Sequence, residues 1–233
     1  MKLLLISNST NAGEEYLRYP LPEIGRFLEG VSEVAFVPYA AVTFSYEAYE
    51  AKVQARLAEL GIRVRSVHRS KNPAREIRDA EAICVGGGNT FALAKKMQEQ
   101  GLMQAILRKI KAGTPYVGWS AGSNVACPTI CTTNDMPIVQ PESFRAIGAV
   151  KFQINPHYLD ANPAGHAGET REQRILEYIA ANPRRWVAGL REGCMLRYEE
   201  GRLELLGNRP MRIFKHGREP FEVNPGETLD FLL

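Results

Sequence analysis

The stretch "PYVGWSAGSNVACP", residues 115–128, decides how the chain is read. Its first half is a short apolar run of the kind that forms a buried strand, and "AGSNVA" after it is able to open a helix. Between them Ser120 stands in a G-x-S-x-G frame, "GWSAG" (118–122). The glycines of such a frame leave room for a strained strand-to-helix turn that lifts a hydroxyl above the end of a parallel sheet. Two readings are open at this point. Ser120 is a nucleophile, with the amide of Ala121 facing a developing oxyanion, or it is a small residue at an ordinary bend.

Outward from this turn, short apolar runs alternate with amphipathic ones. "KLLLIS" (2–7), "VAFVPYA" (34–40), "RVRSVH" (63–68), "EAICVG" (81–86) and "PYVGWS" (115–120) are predicted as buried strands. The segment 45–61 repeats Tyr46, Tyr49, Val53 and Leu57 at helical spacing, and 89–101 begins on the cap residue Asn89 and ends at a glycine. Strand alternating with helix predicts a parallel sheet covered on both faces. The second half is less regular. Residues 133–144 and 155–168 are predicted as long loops, 169–182 as a helix, and "WVAGL", "CMLRYE", "RLELLG" and "MRIFKHG" as further strands. With no linker or repeat, a single domain spanning 1–233 is expected.

The 233 residues are 45% hydrophobic, enough for a sizeable core. The 29 basic and 26 acidic residues are spread along the chain and leave a net charge of +3, so no basic face or acidic tail announces a nucleic-acid or membrane partner, and none is expected. "MKLLLISNST" turns polar after four aliphatic residues, too few for a signal-peptide core, so a cytoplasmic location is expected. Cys84, Cys127, Cys131 and Cys194 form no C-x-x-C pair and are read as reduced thiols of the core.

A second glycine-rich junction, "VGGGNTF" (85–91), should lie beside Ser120 at the carboxyl edge of the sheet. It is a poor nucleotide loop, because G-x-G-x-x-G would need glycine where Phe91 stands. It serves as an oxyanion donor loop through the amide of Gly88, or else as a tight turn without a ligand. A serine nucleophile needs a base, and the chain has four histidines. His68 ends a strand and His216 falls in a late turn, whereas His157 and His166 occupy the loop after "KFQIN". His157, fixed by the preceding strand and Pro156, is the better placed of that pair.

"SNST" (7–10), "VGGGNTF", the block "GWSAGSN-ACPTI-TTNDMPIV" within 118–139, "QINPHY" (153–158) and "GETREQRI" (168–175) together resemble peptidase E. These are aspartyl dipeptidases that cleave Asp-Xaa dipeptides, and the resemblance runs in order from residue 1 to about residue 215. It implies a three-layer α/β/α sandwich with a mostly parallel sheet, like that of class I glutamine amidotransferases, with serine in place of their nucleophilic cysteine. It implies a Ser-His-Glu triad of Ser120, His157 in "INPHY" and Glu192 in "GLREG". It also implies a small-molecule substrate, Asp-Xaa dipeptides, with no metal or cofactor required; a monomer or homodimer is expected, the oligomeric state itself not being legible in the residues.

Asp135 in "TTNDMP" belongs to the same motifs, either in the charge network or binding the substrate ammonium, or as an Asx-turn before proline. A pocket for aspartate needs a cation able to grip a carboxylate bidentately, and Arg171 in "GETREQR" is the candidate, against a solvated arginine at a helix start. Asn89, Thr132 and Thr133 are candidate hydrogen-bond donors to substrate. Two other readings stand beside this one. The first is a hydrolase of related fold for β-aspartyl or cyanophycin-type peptides, disfavoured by "TTNDMP" and "ETREQR". The second is a non-enzymatic, chaperone-like member of the fold, disfavoured by the intact serine, histidine and glutamate.

Overall fold

A computed structural model describes residues 1–161, 165 and 167–233. The first half runs β1 (Lys2–Ile6), α1 (Leu21–Phe27), β2 (Glu33–Val37), α2 (Tyr46–Leu57), β3 (Arg63–Ser66), α3 (Pro73–Asp79), β4 (Ala82–Val85), α4 (Thr90–Glu99), α5 (Leu102–Lys111), β5 (Pro115–Trp119) and α6 (Ala121–Asn124). The second half adds β6 (Gln153–Pro156), α7 (Arg171–Ala181), β7 (Trp186–Leu190), β8 (Met195–Glu199), β9 (Arg202–Leu206), β10 (Met211–Lys215) and β11 (Phe221–Val223).

Local chemistry explains where elements begin and end. "VAFVPYA" was expected to stay extended through residue 40, but β2 stops at Val37 because Pro38 has no N–H for the ladder, and a turn follows with the Ala41 amide on the Pro38 carbonyl. Helix α2 is capped by the Ser45 hydroxyl on the Ala48 amide, and it ends at Leu57, short of the predicted residue 61, in a 3-10 turn closed by Gly61. The Asn89 side chain caps α4, and α7 opens with a reciprocal capping box between Thr170 and Gln173.

The large sheet has the order β3-β2-β4-β5-β1-β8-β9. Its first five strands are mutually parallel, and β8 and β9 extend it antiparallel. Alternation along β1 sends Leu4 and Ile6 to one face, against Ile24 and Phe27 of α1 and Tyr49 and Val53 of α2. Leu3 and Leu5 face the other way, toward Ile77 of α3, Leu93 and Met97 of α4 and Ile106 of α5. The sheet is therefore the middle of three layers, and each fully buried aliphatic side chain in it contributes about 1.5–3 kcal/mol of transfer free energy. No described helix is long and apolar enough to cross a membrane. All four cysteines are free; Cys131, unlike the other three, is exposed, a departure from the core reading.

The C-terminal strands were predicted without partners, and the structure divides them. β6, β7, β10 and β11 form a second sheet of order β11-β10-β7-β6, in which only β6 and β7 run parallel. One face, through Ile154, Ala188, Met211 and Ile213, joins the core of the large sheet; the other packs Val187 and Phe214 on Ile175 and Ile179 of α7.

Two registers set up the site. In the large sheet Ile6 pairs with Trp119 and Val85 with Gly118, so Ser7, Gly86 and Ser120 emerge side by side at the carboxyl edge. In the small sheet Pro156 pairs with Leu190, so the chain leaves both strands together at His157 and Arg191, one residue before Glu192.

Candidate active site

Ser120 occupies a backbone conformation that an L-residue adopts only at a cost, φ 53° and ψ −113°, of order 1–3 kcal/mol. The cost is met by a packed and hydrogen-bonded frame. The Ser120 amide donates to the Ile6 carbonyl (3.0 Å), the Ser123 hydroxyl lies against the carbonyls of Ile6 and Gly118 (2.7 and 2.8 Å), and the Tyr116 hydroxyl donates to the Gly122 carbonyl (2.7 Å). Gly122 is required by close approach, since a β-carbon there would fall 2.1 Å from the Val85 carbonyl oxygen.

His157 is a second non-glycine residue at positive φ (53°), held there by the Ser7 hydroxyl, which accepts from its amide at 2.9 Å and donates to the Leu190 carbonyl at 2.7 Å. Its Nε2 lies 2.9 Å from Ser120 Oγ and its Nδ1 2.7 Å from Glu192 Oε1. A carboxylate only accepts, so Nδ1 carries the proton and Nε2 is left to accept from the serine hydroxyl. Asn8 steadies the third partner, its Oδ1 accepting from the Gly193 amide (2.9 Å) and the Tyr19 hydroxyl (2.7 Å). The arrangement suits proton transfer from a serine to an oriented imidazole. His68 also bonds a serine, Ser66 Oγ at 2.6 Å, and Glu47 at 3.2 Å, but Ser66 is buried. His166 lies outside the described residues.

The "VGGGNTF" loop reaches the serine directly, for a β-carbon on Gly87 would lie 3.0 Å from Ser120 Cβ. Among the described residues the amides of Gly88 and Ala121 meet no protein acceptor, while their neighbours on either side, Asn89 and Ser120, donate to Ala40 and Ile6. The amides of Gly87 and Gly122 likewise meet no protein acceptor among the described residues, so several backbone donors lie free around the Ser120 hydroxyl, as an oxyanion would require.

The remaining candidates fall in two groups. Asp135 accepts from the Thr90 amide (2.7 Å) and the Thr133 hydroxyl (3.0 Å), so its hydrogen bonds run to the start of α4 and to its own loop rather than to the imidazole. The Asn89 side chain caps α4 at Ala92 and donates to the Met136 carbonyl, and Thr132 is buried with its hydroxyl on the Ile154 carbonyl. Arg171 is different. It is half-buried, its guanidinium contacts Asn134 Oδ1, and among the described residues no carboxylate forms an ion pair with it. Burial and the charge of Arg174 press its pKa down, and Asp135 opposes them. It lines a cavity of about 170 Å³ with Thr133, Asn134, Asp135, Asn155 and Arg174. Asn134 links that cavity to the His157 loop by donating to the Pro156 carbonyl (2.6 Å).

Ser7, Asn8, Asn134 and Asn155 were not singled out from sequence, although each stands in a motif quoted above. For Ser7 and Asn8 the signal was a polar pair directly after the buried strand β1, in "SNST", which marks a carboxyl-edge position.

The profile of peptidase family S51 matches residues 3–206. The chain is 49% identical over 233 residues to "Peptidase E" of Nostoc sp., covering 100% of this chain and 96% of the relative. It is 46% identical over 226 residues to "Peptidase E" of Citrobacter koseri, covering 97% and 99%. A crystal structure of a peptidase from an acI-B1 Actinobacterium superposes with a TM-score of 0.73 at 20% identity, over 98% of this chain and 96% of that one, and shares the fold. With its α/β sandwich and a family match over most of its length, the chain belongs to peptidase family S51 and is a serine-type enzyme that hydrolyses peptide bonds.

Proposed function

We propose that the chain is a dipeptidase for Asp-Xaa substrates, working through a triad of Ser120, His157 and Glu192 and an acyl-enzyme. The observation that carries the reading is the relay itself, with both imidazole nitrogens engaged at 2.7 and 2.9 Å and the serine held in a strained turn. His157 takes the Ser120 proton at Nε2 while Oγ attacks the aspartyl carbonyl carbon. The amides of Gly88 and Ala121 receive the oxyanion. His157 then protonates the departing amine, and in the second half it deprotonates the water that releases aspartate. Glu192 holds the ring and stabilises the imidazolium without taking the proton. Selection for aspartate is assigned to Arg171, whose half-buried guanidinium has no carboxylate partner among the described residues and borders a cavity of matching scale, with Asn89, Thr132, Thr133 and Asp135 shaping its surroundings.

The test is a panel of α-linked Asp-Leu, β-linked Asp-Leu, Asn-Leu and Ala-Leu with purified wild type and Ser120→Ala. Cleavage confined to α-linked Asp-Leu and abolished in the variant is expected. Preference for the β-linked isomer would move the protein to the other acidic-peptide class, and a Ser120→Ala enzyme keeping more than about a tenth of the rate would remove the serine from the chemistry.

A further inference from the structure

The peptide joining Gly87 to Gly88 is anchored at its carbonyl end by a side chain from α2. The Tyr49 hydroxyl donates to the Gly87 carbonyl at 2.9 Å. The direction of that proton follows from the carbonyl, which can only accept; the Trp119 indole Nε1, a donor only, approaches the same hydroxyl at 3.1 Å, and the Tyr16 hydroxyl lies 3.4 Å from it. Tyr49 oxygen therefore accepts from the indole and spends its own proton on Gly87. Tyr49 is buried, packed edge-on against Phe36 with centroids 5.0 Å apart and against Phe44 at 5.2 Å. Gly86 makes the approach possible, because a β-carbon there would fall 2.6 Å from the tyrosine oxygen. Burial raises the Tyr49 pKa above the ordinary phenol range, which keeps the group a donor.

In a trans peptide the C=O and N–H share a plane and point in opposite directions, and the described chain has no cis bond. Pinning the Gly87 oxygen toward buried Tyr49 aims the Gly88 N–H the other way, outward, where it meets no protein acceptor among the described residues. A hydrogen bond at the carbonyl end also polarises the amide and strengthens its N–H as a donor. Trp119, which braces Tyr49, is the residue before Ser120, so nucleophile and donor are referenced to one buried group.

We infer that Tyr49 is a positioning residue for the reaction, fixing and polarising the Gly87–Gly88 peptide so that the Gly88 amide is preset for the tetrahedral oxyanion. This rests on the proposed roles of Ser120 and Gly88. Removing an oxyanion donor costs two to three powers of ten, and losing only its alignment costs less. Tyr49→Phe keeps the ring and its packing while deleting the hydroxyl. It is expected to lower kcat about tenfold with KM within about twofold of wild type.

The deciding measurement is binding of the boronic-acid analogue of aspartate, which becomes tetrahedral on Ser120 Oγ, compared with binding of free aspartate. Tyr49→Phe should weaken the boronate about tenfold and aspartate less than about twofold, a split that a purely structural role would not produce. Equal boronate affinity in both enzymes, with a tetrahedral adduct seen by boron-11 NMR in each, would overturn the inference and leave the triad standing. No tetrahedral adduct on wild type would overturn both. If Tyr49→Phe does not fold, Trp119→Phe, which removes the donor that orients the hydroxyl, should give the same split at about threefold, and its absence counts equally against the inference.

Discussion

The hydroxyl of Ser7 and the main-chain amide of His157 meet at 2.9 Å, and the same hydroxyl reaches the Leu190 carbonyl at 2.7 Å. One buried side chain thus ties the end of β1 in the large sheet to the ends of β6 and β7 in the small one. Ser7→Ala strands the His157 amide, and a loss of about 1–3 kcal/mol in unfolding free energy is expected. The kcat should fall as well, because the positive-φ turn carrying the imidazole loses its anchor. Denaturant unfolding and steady-state rates check this together; unchanged values in both would show that the turn is fixed by packing alone.

Glu192→Gln and His157→Ala should differ in depth. In the proposed mechanism the glutamate orients and stabilises the ring while the histidine carries the proton, so the His157 variant is expected to lose several powers of ten in kcat and the Glu192 variant distinctly less. A Glu192→Gln enzyme of wild-type activity would remove Glu192 from the proposed relay.

Arg171→Met is expected to reduce kcat/KM for Asp-Leu by about 2–5 kcal/mol in transition-state terms, because an aspartate carboxylate would enter the cavity unpaired. Asn-Leu carries no charge to lose, so the Asp/Asn ratio should collapse. Lysine should rescue only in part, a point charge being no substitute for a planar fork. An unchanged ratio in the methionine variant would place the selecting cation elsewhere, with Arg174 across the same cavity the next to test.

Arg191 is buried beside the triad and grips both Asp160 (2.9 Å from Nε) and Glu222 (2.8 and 2.9 Å from its terminal nitrogens). Asp160 lies on the His157 loop and Arg191 precedes Glu192, so the cluster clamps the two segments that carry the proposed base and acid. Arg191→Met is expected to cost about 2 kcal/mol, at the lower end for a broken buried pair because Asp160 is largely exposed. Thermal melting at neutral pH reads that loss.

Hydrogen bonds from Arg191 hold the carboxyls of Asp160 and Glu222 below their ordinary range. Their contribution is complete above the unfolded carboxyl pKa values of about 4 and is lost as pH falls through the lower folded values. The melting temperature of wild type should therefore drop between about pH 5 and pH 2, more steeply than that of Arg191→Met. Parallel acid limbs for the two proteins would show that the pairs contribute nothing measurable.

Periodicity and punctuation in the sequence determined the αβ alternation of the first half, because a strand buried on both faces and a helix with one apolar stripe leave patterns within a single window. They also pointed to a special turn at Ser120 through the "GWSAG" frame, while the close approach of the Val85 carbonyl that requires Gly122 is a tertiary contact. The roles of His157 and Glu192 came from motif resemblance, and the turn at Glu192 looks ordinary in isolation. Tertiary structure alone decided that the C-terminal strands divide between two sheets, for strand pairing is a choice among partners far apart in sequence and carries no periodic signal. It alone decided that Asp135 points its hydrogen bonds at the start of α4, and that Arg171 keeps its guanidinium free of carboxylates among the described residues. It alone placed Ser7 under His157, 150 residues away, and Tyr49 behind Gly87. Such contacts are fixed by where two sheets and two loops come to rest, and the energy that selects them belongs to the packed whole rather than to any one segment.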